Sequence, residues 1–358
     1  MNNKGNSTKF ISIISGKGGT GKSLFTAVLG SCLAKENCKV LLVDMDIYVR
    51  GLTILLSTYM DSDNSRCAIS DYVNNTNINK DFAVYRFQEC EFIPAVKEIS
   101  EPLIYSNENN CFSSFPESFF TELKTFAENK MYDIVLLDCR SGLDSSIISC
   151  VKNSDFVFSI SEDDDICLNA NLNLVNYFRH DEHINNIYTI INKGRRIETP
   201  QDIEQKIDNM FDFSCIGVIP FDERIMDDYG KDRFWLSVYD TLYFYGLVMT
   251  WEKFQAKTKI QYHIDEKKYV SRNYKSNLIR KQSLSMYRLL RLYGFLIIIL
   301  SSIMQFVSGI LGYQILRNGE IVSGLFIFIG VIMIFVSSSS FRRFMLGKDD
   351  NPTNFKNR

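Results

Sequence analysis

The sequence has 358 residues, with 40 Lys and Arg balanced by 42 Asp and Glu, and nine cysteines. This length holds one large α/β domain and something smaller. The near-neutral balance gives no sign of a nucleic-acid binder that is basic throughout. The cysteines are odd in number and scattered without a CxxC pair, which argues for buried, reduced thiols and against a disulfide framework or a zinc site.

Residues 1–9 are polar and lead into a strand without a signal-peptide pattern. Short apolar runs recur at 10–15, 40–43, 90–94, 134–137, 156–160, 187–191 and 216–219. Helical spacing appears between most of them, at 23–35, 117–128, 169–178 and 201–210. Strands that are apolar on both faces and alternate with helices predict an α/β fold over residues 1–250, a mainly parallel sheet covered by helices on both faces. Residues 48–83 are polar and Asn-rich and yield no clear element.

Gly16-Lys17-Gly18-Gly19-Thr20-Gly21-Lys22-Ser23 stands directly between the first strand and the first helix. A P-loop requires that setting. Its glycines let successive backbone N–H groups turn toward phosphates, and the helix N-terminus adds its positive end. Lys22 then reaches the β- and γ-phosphates, and the Ser23 hydroxyl ligates Mg²⁺.

Lys17, inside KGGTGKS, carries a family resemblance. The motif is similar to the deviant Walker A motif of the MinD/ParA ATPases, which include nitrogenase iron protein and the tail-anchored-protein targeting ATPases. The resemblance runs through most of residues 9–226. It implies ATP and Mg²⁺ as cofactors and a homodimer in which Lys17 crosses to the partner's ATP. It also implies that Asp46, in VDMDI, orients the attacking water and that Asp138, closing YDIVLLD, holds Mg²⁺ through water. Asn192, in INK, matches the adenine-contacting position, and Pro220 closes the matching GVIP turn. Asp44 is open between a metal-shell role and a strand-end cap. The second switch, Cys139–Leu143, departs from the family, which often has Pro after the Walker B aspartate. Arg140 there is either a contact to the γ-phosphate or a partner's switch, or a structural salt bridge. Asp163, Asp164 and Asp165 follow a strand and precede a helix, so they read as a solvated N-terminal cap.

Residues 251–291 carry eleven Lys or Arg against three acids, with aromatics interleaved, and read as one or two helices. Residues 293–316 and 321–341 then run for 24 and 21 residues without a charge. About 20 apolar residues cross a bilayer, so residues 292–341 are expected to form a two-span transmembrane hairpin and 342–358 a tail. Lys and Arg flank its two outer ends, placing both termini and the ATPase domain on the cytoplasmic side of the membrane. Beside such a span the basic segment suits anionic lipid better than DNA.

The combined expectation is a membrane-anchored, ATP-dependent dimerisation switch that recruits, positions or releases a protein activator or cargo. The alternative is a membrane effector, whose assembly drives the hairpins to disrupt the bilayer. A capsule-type tyrosine kinase fits poorly, because the tail has no Tyr. An iron–sulfur carrier is disfavoured by the lack of paired cysteines.

Overall fold

The apolar runs become strands of one eight-stranded sheet in order β3-β4-β2-β5-β1-β6-β7-β8. The computed structural model describes residues 7–61, 66–74, 81–100, 115–194, 215–228, 234–258, 260–265, 293–303 and 329. The strands are β1 (Lys9–Ser15), β2 (Val40–Asp44), β3 (Tyr85–Phe87), β4 (Cys90–Ile93), β5 (Ile134–Ser141), β6 (Phe156–Glu162), β7 (Ile187–Gly194) and β8 (Cys215–Pro220). All pair in parallel except β3, which closes one edge antiparallel to β4. Ile11, Ile13 and Ile14 of β1 are all fully buried, as a strand covered on both faces requires.

The expected helices at 23–35 and 117–128 appear as α1 (Lys22–Lys35) and α4 (Glu117–Asn129). Helix α1 is buried from Leu24 to Ala34, on every side of the helix. In α4 Phe119, Phe120, Leu123 and Ala127 are buried and Phe126 packs beside them, so one stripe faces the core. The helix expected at 169–178 begins earlier, as α6 (Asp165–Asn176), because the Asp164 side chain accepts from the backbone N–H of Ile166 and Cys167. The stretch with no clear reading contains the short helices α2 (Gly51–Leu55) and α3 (Ile69–Asn74). Helix α5 is Ser145–Lys152, and α7 (Glu223–Asp228), α8 (Phe234–Ser237) and α9 (Leu242–Thr258) follow β8. The helix expected at 201–210 lies outside the described residues. All eight cysteines among the described residues are buried and free of disulfides.

Helix α9 runs straight through the boundary expected at residue 250. The physical reason is packing: Trp251 and Phe254 are buried, and Phe254 meets Phe156, Phe158 and Tyr188 edge-on. Beyond it the Trp251 indole donates to the Tyr262 carbonyl at 2.7 Å, and Ile264 is fully buried. The first compact unit extends to Tyr269, and the second begins at Val270.

In the second unit, residues 293–303 are helical. Phe295, Leu296, Ile299, Leu300 and Ile303 on this helix are each more than half exposed. Among the described residues no helix is long and apolar enough to cross a membrane. Except for 293–303 and Ile329, both expected spans lie outside the described residues, as do the tail and most of the basic segment.

Phe254→Ala should cost about 3–5 kcal/mol of stability in the first unit, the usual range for an emptied aromatic core site. Urea unfolding followed by the fluorescence of Trp235 and Trp251 measures it. An unchanged midpoint would mean that residues after 250 do not belong to the ATPase core.

Candidate nucleotide site

Ligands of open α/β sheets bind beyond the carboxyl ends of the strands, where successive connections turn to opposite sides. Here that point is the end of β1, which has β5 on one side and β6 on the other. A cavity of about 370 Å³ opens there. Gly18, Gly19, Gly21, Lys22, Ser23, Asp46 and Asp138 line one part of it, and Asn192, Pro220, Phe221, Ile225 and Met226 line another.

The P-loop forms as its glycines predict. Gly19 and Gly21 have φ of 81° and 89°, left-handed values that cost a residue with a Cβ dearly. Gly16 lies hard against the backbone of Ala170 and Asn171 in α6, where a side chain has no room. The Lys22 ammonium donates to Ser15 Oγ at 2.9 Å, and Ser15 Oγ donates to the Lys17 carbonyl at 2.7 Å. Lys17 itself is exposed and does not line the cavity.

Asp44, the last residue of β2, is in register with Asp138 within the neighbouring strand β5, and both are buried. Their chemistry differs. Asp44 Oδ2 accepts from the Thr53 N–H and hydroxyl, both at 2.7 Å, and Oδ1 accepts from the Asp46 N–H at 3.1 Å. Burial, then the neighbouring Asp138, pushes its pKa up. Asp138 Oδ1 is buried with no hydrogen-bond partner in the protein. Burial lifts its pKa to about 6, with Lys22 pulling the other way. A buried carboxylate oxygen without a donor, beside the Ser23 hydroxyl on a cavity wall, is a donor set that fits a hard divalent cation. Of the two aspartates, Asp138 fits the metal role better, and Asp44 ties the Asp46 turn to α2.

Asp46 is half-buried on the cavity wall, with Oδ1 accepting from the N–H groups of Tyr48 and Val49 at 3.2 and 3.0 Å. Arg140 makes a salt bridge to Asp144 at 3.0 Å, and its guanidinium lies 4.8 Å over the Tyr48 ring. It therefore links the Cys139–Leu143 segment to the turn after Asp46, by a cation–π contact of a kind worth about 0.5–1 kcal/mol at exposed sites. Asn192 is buried on the cavity wall, and its amide donates to the Thr20 carbonyl at 2.7 Å. Asp164 caps α6 as the acidic run suggested, but Asp163 is buried and so is not part of a solvated cap.

Sequence reasoning passed over Gly51, Lys193 and the lobe formed by Phe221, Ile225 and Met226. Gly51 sits against Ser23, where a Cβ would fall 2.6 Å from its hydroxyl. The DERIMDD run after Pro220 carries the i, i+1 pair Ile225–Met226 on too short a helix for periodicity to stand out.

Residues 8–199 match the AAA domain family. The septum site-determining protein MinD of Synechocystis is 24% identical over 227 residues, 62% of this chain and 80% of that one. The chloroplastic minD homolog of Arabidopsis thaliana is 26% identical over 62% of this chain and 67% of its own length. Among solved structures, Pyrococcus horikoshii MinD complexed with Mg-ADP superposes with a TM-score of 0.52 at 21% identity, over 71% of this chain and all of that one. MinD from the MinC:MinD complex of Aquifex aeolicus gives 0.52 at 19% identity, over 72% and 100%. With the P-loop, its buried aspartate and the parallel sheet in place, and with more than half of the sequence matched, the chain belongs to the AAA domain family as a MinD/ParA-like P-loop ATPase.

Proposed function

We propose that this ATPase is a nucleotide-dependent dimerisation switch, held at the cytoplasmic face of a membrane by its C-terminal hairpin. The observation that carries the reading is the cavity wall, where Lys22, Ser23, Asp46 and Asp138 meet around one opening. Transfer of a phosphoryl group to water needs charge neutralisation and an aligned nucleophile more than covalent chemistry. The P-loop amides and Lys22 bind the phosphates of ATP. Ser23 and Asp138 hold Mg²⁺, which when bound neutralises charge on the phosphates. Asp46, fixed by two backbone donors of its own turn, aligns the attacking water. Asn192 and Pro220 stand at the base-binding lobe. Lys17 serves a second copy, so that ATP closes a homodimer, a role supported by its exposure and by its position off the wall of its own cavity. The difference between open and closed states then recruits or releases a protein activator or cargo.

The ATPase unit extends to about residue 269, followed by the basic segment, the hairpin over 292–341 and the tail at 342–358. The helix at 293–303 supports the anchor: five large apolar side chains stand exposed on eleven residues, more than water tolerates without an apolar partner. Anionic lipid is the counterpart of the basic residues that precede it.

The role of Asp138 is tested through pH. Its raised pKa means that the native state holds a proton that the unfolded chain has lost. Stability therefore falls as pH rises from about 4 to about 6 and stays lower above that. Asp138→Asn should raise the unfolding temperature of the nucleotide-free protein at pH 7.5 by a few degrees, roughly, while weakening Mg²⁺-dependent ATP binding at least about tenfold. A less stable variant contradicts the burial argument, and an unchanged Mg²⁺ dependence removes Asp138 from the metal site.

If Lys17 acts across the dimer, Lys17→Ala and Asp46→Ala are each nearly inactive alone. Mixed in one heterodimer, both defects fall on the same site and the other site is complete. The heterodimer should recover up to about half the wild-type rate. Hydrolysis no faster than the mean of the two separate variants, with heterodimers demonstrated, would place Lys17 in cis.

For topology, a Cys placed at Asn318 should react with an impermeant thiol reagent outside spheroplasts, and one at Asn354 should not. Labelling at Asn354 reverses the orientation.

A further inference from the structure

The carboxyl end of β7 reaches the P-loop with two consecutive side chains. Asn192 Nδ2 donates to the Thr20 carbonyl at 2.7 Å, and Lys193 Nζ donates to the Gly19 carbonyl at 2.7 Å. The same ammonium bridges to Glu162 Oε1, at the end of β6, at 2.6 Å. In a regular strand neighbouring side chains point to opposite faces. This one is irregular: Lys193 has φ of 56°, and the pairing of β7 with β8 shifts between Ile191 and Gly194. The left-handed residue breaks the alternation, and both side chains end on adjacent peptide groups of one loop.

A loop that cradles an anion points its N–H groups inward, so its carbonyls must face away from the charge. The Gly19 and Thr20 carbonyls are the ones held by β7. From this geometry we infer that Lys193, anchored by Glu162, is a positioning residue for ATP. With Asn192 it clamps two successive P-loop carbonyls outward and so aims the intervening amides at the phosphates before nucleotide arrives. Because the strained backbone conformation at Lys193 is what brings both donors to bear, the clamp explains why β7 ends irregularly. It acts on the phosphate cradle shared by ATP and ADP, and it does not touch the γ-phosphate.

The inference rests on the cavity's being the ATP site, and the first measurement separates the two ideas. Wild-type protein that fails to bind ATP in calorimetry sinks the functional reading itself. Given wild-type binding, Lys193→Met, which keeps the stem and removes the charge, should weaken ATP and ADP alike by about tenfold, the usual scale for a lost charge-assisted hydrogen bond. KM should rise by a similar factor, with kcat within about twofold. In the nucleotide-free protein, amide exchange across residues 18–22 should accelerate, which a general loss of stability would not confine to that loop. Glu162→Gln, which leaves the lysine without its anchor and is nearly isosteric, should show the same pattern at about threefold, and it serves as the readout should Lys193→Met not fold. Unchanged nucleotide affinity and loop exchange in the folded variants overturn the clamp. A loss for ATP with ADP spared overturns it too, because it would put Lys193 on the γ-phosphate.

Discussion

Two carboxylates in register on β2 and β5, both out of water, set the terms for everything around them. Removing one charged group from solvent is expensive, and two side by side repel as well. The fold answers in two ways. Asp44 receives three hydrogen bonds from Thr53 and Asp46, so its charge is spread over backbone and hydroxyl donors. Asp138 is left with an undonated oxygen facing a cavity that also holds Lys22 and Ser23. The remaining deficit is electrostatic, and a bound cation with its phosphates is the natural way to close it. Catalytic potential here is therefore the same thing as an uncompensated burial.

The surrounding loops are fastened to one another as well as to the sheet. The Gly142 N–H donates to the Ser15 carbonyl at 2.9 Å, which joins the second switch to the base of the P-loop. Arg140 lies over Tyr48, in the turn held by Asp46, and pairs with Asp144, which in turn caps α5 through the Ile147 N–H. A displacement at any of these segments reaches the others through two or three contacts. That connectivity suits an element with two arrangements, since coupling needs parts that shift together.

Seven strands of the sheet were legible as short apolar runs, and the P-loop because glycine spacing is a backbone requirement written directly in residue type; β3 was not, since its three residues put the exposed Arg86 between Tyr85 and Phe87. The end of the ATPase core was not, since the basic residues after Trp251 change the composition while Trp251 and Phe254 still pack inward. Charge on the outer face of a helix hides the burial of its inner face. Helices α2 and α3 were missed because five or six residues give no full period. Lys193 escaped for a different reason: nothing in INKG marks a left-handed lysine, and its role comes from a partner 174 positions away. Asn192 lines the cavity where the resemblance puts the base, and its amide also donates to the P-loop backbone at Thr20, a contact that residue type does not reveal.

Helix α1 has a second end. Its first residue is Lys22, and just past its last residue Glu36 Oε1 accepts from the Asp265 N–H at 3.2 Å. At about 1.5 Å per residue its 14 residues make a rod of about 21 Å, buried along its length and resistant to bending. The segment leading out of the ATPase unit is thus hitched to the far end of the rod that carries the phosphate-binding lysine. Both ends of that rod are therefore engaged, one in the P-loop and the other at the segment that follows the Trp251–Tyr262 bond.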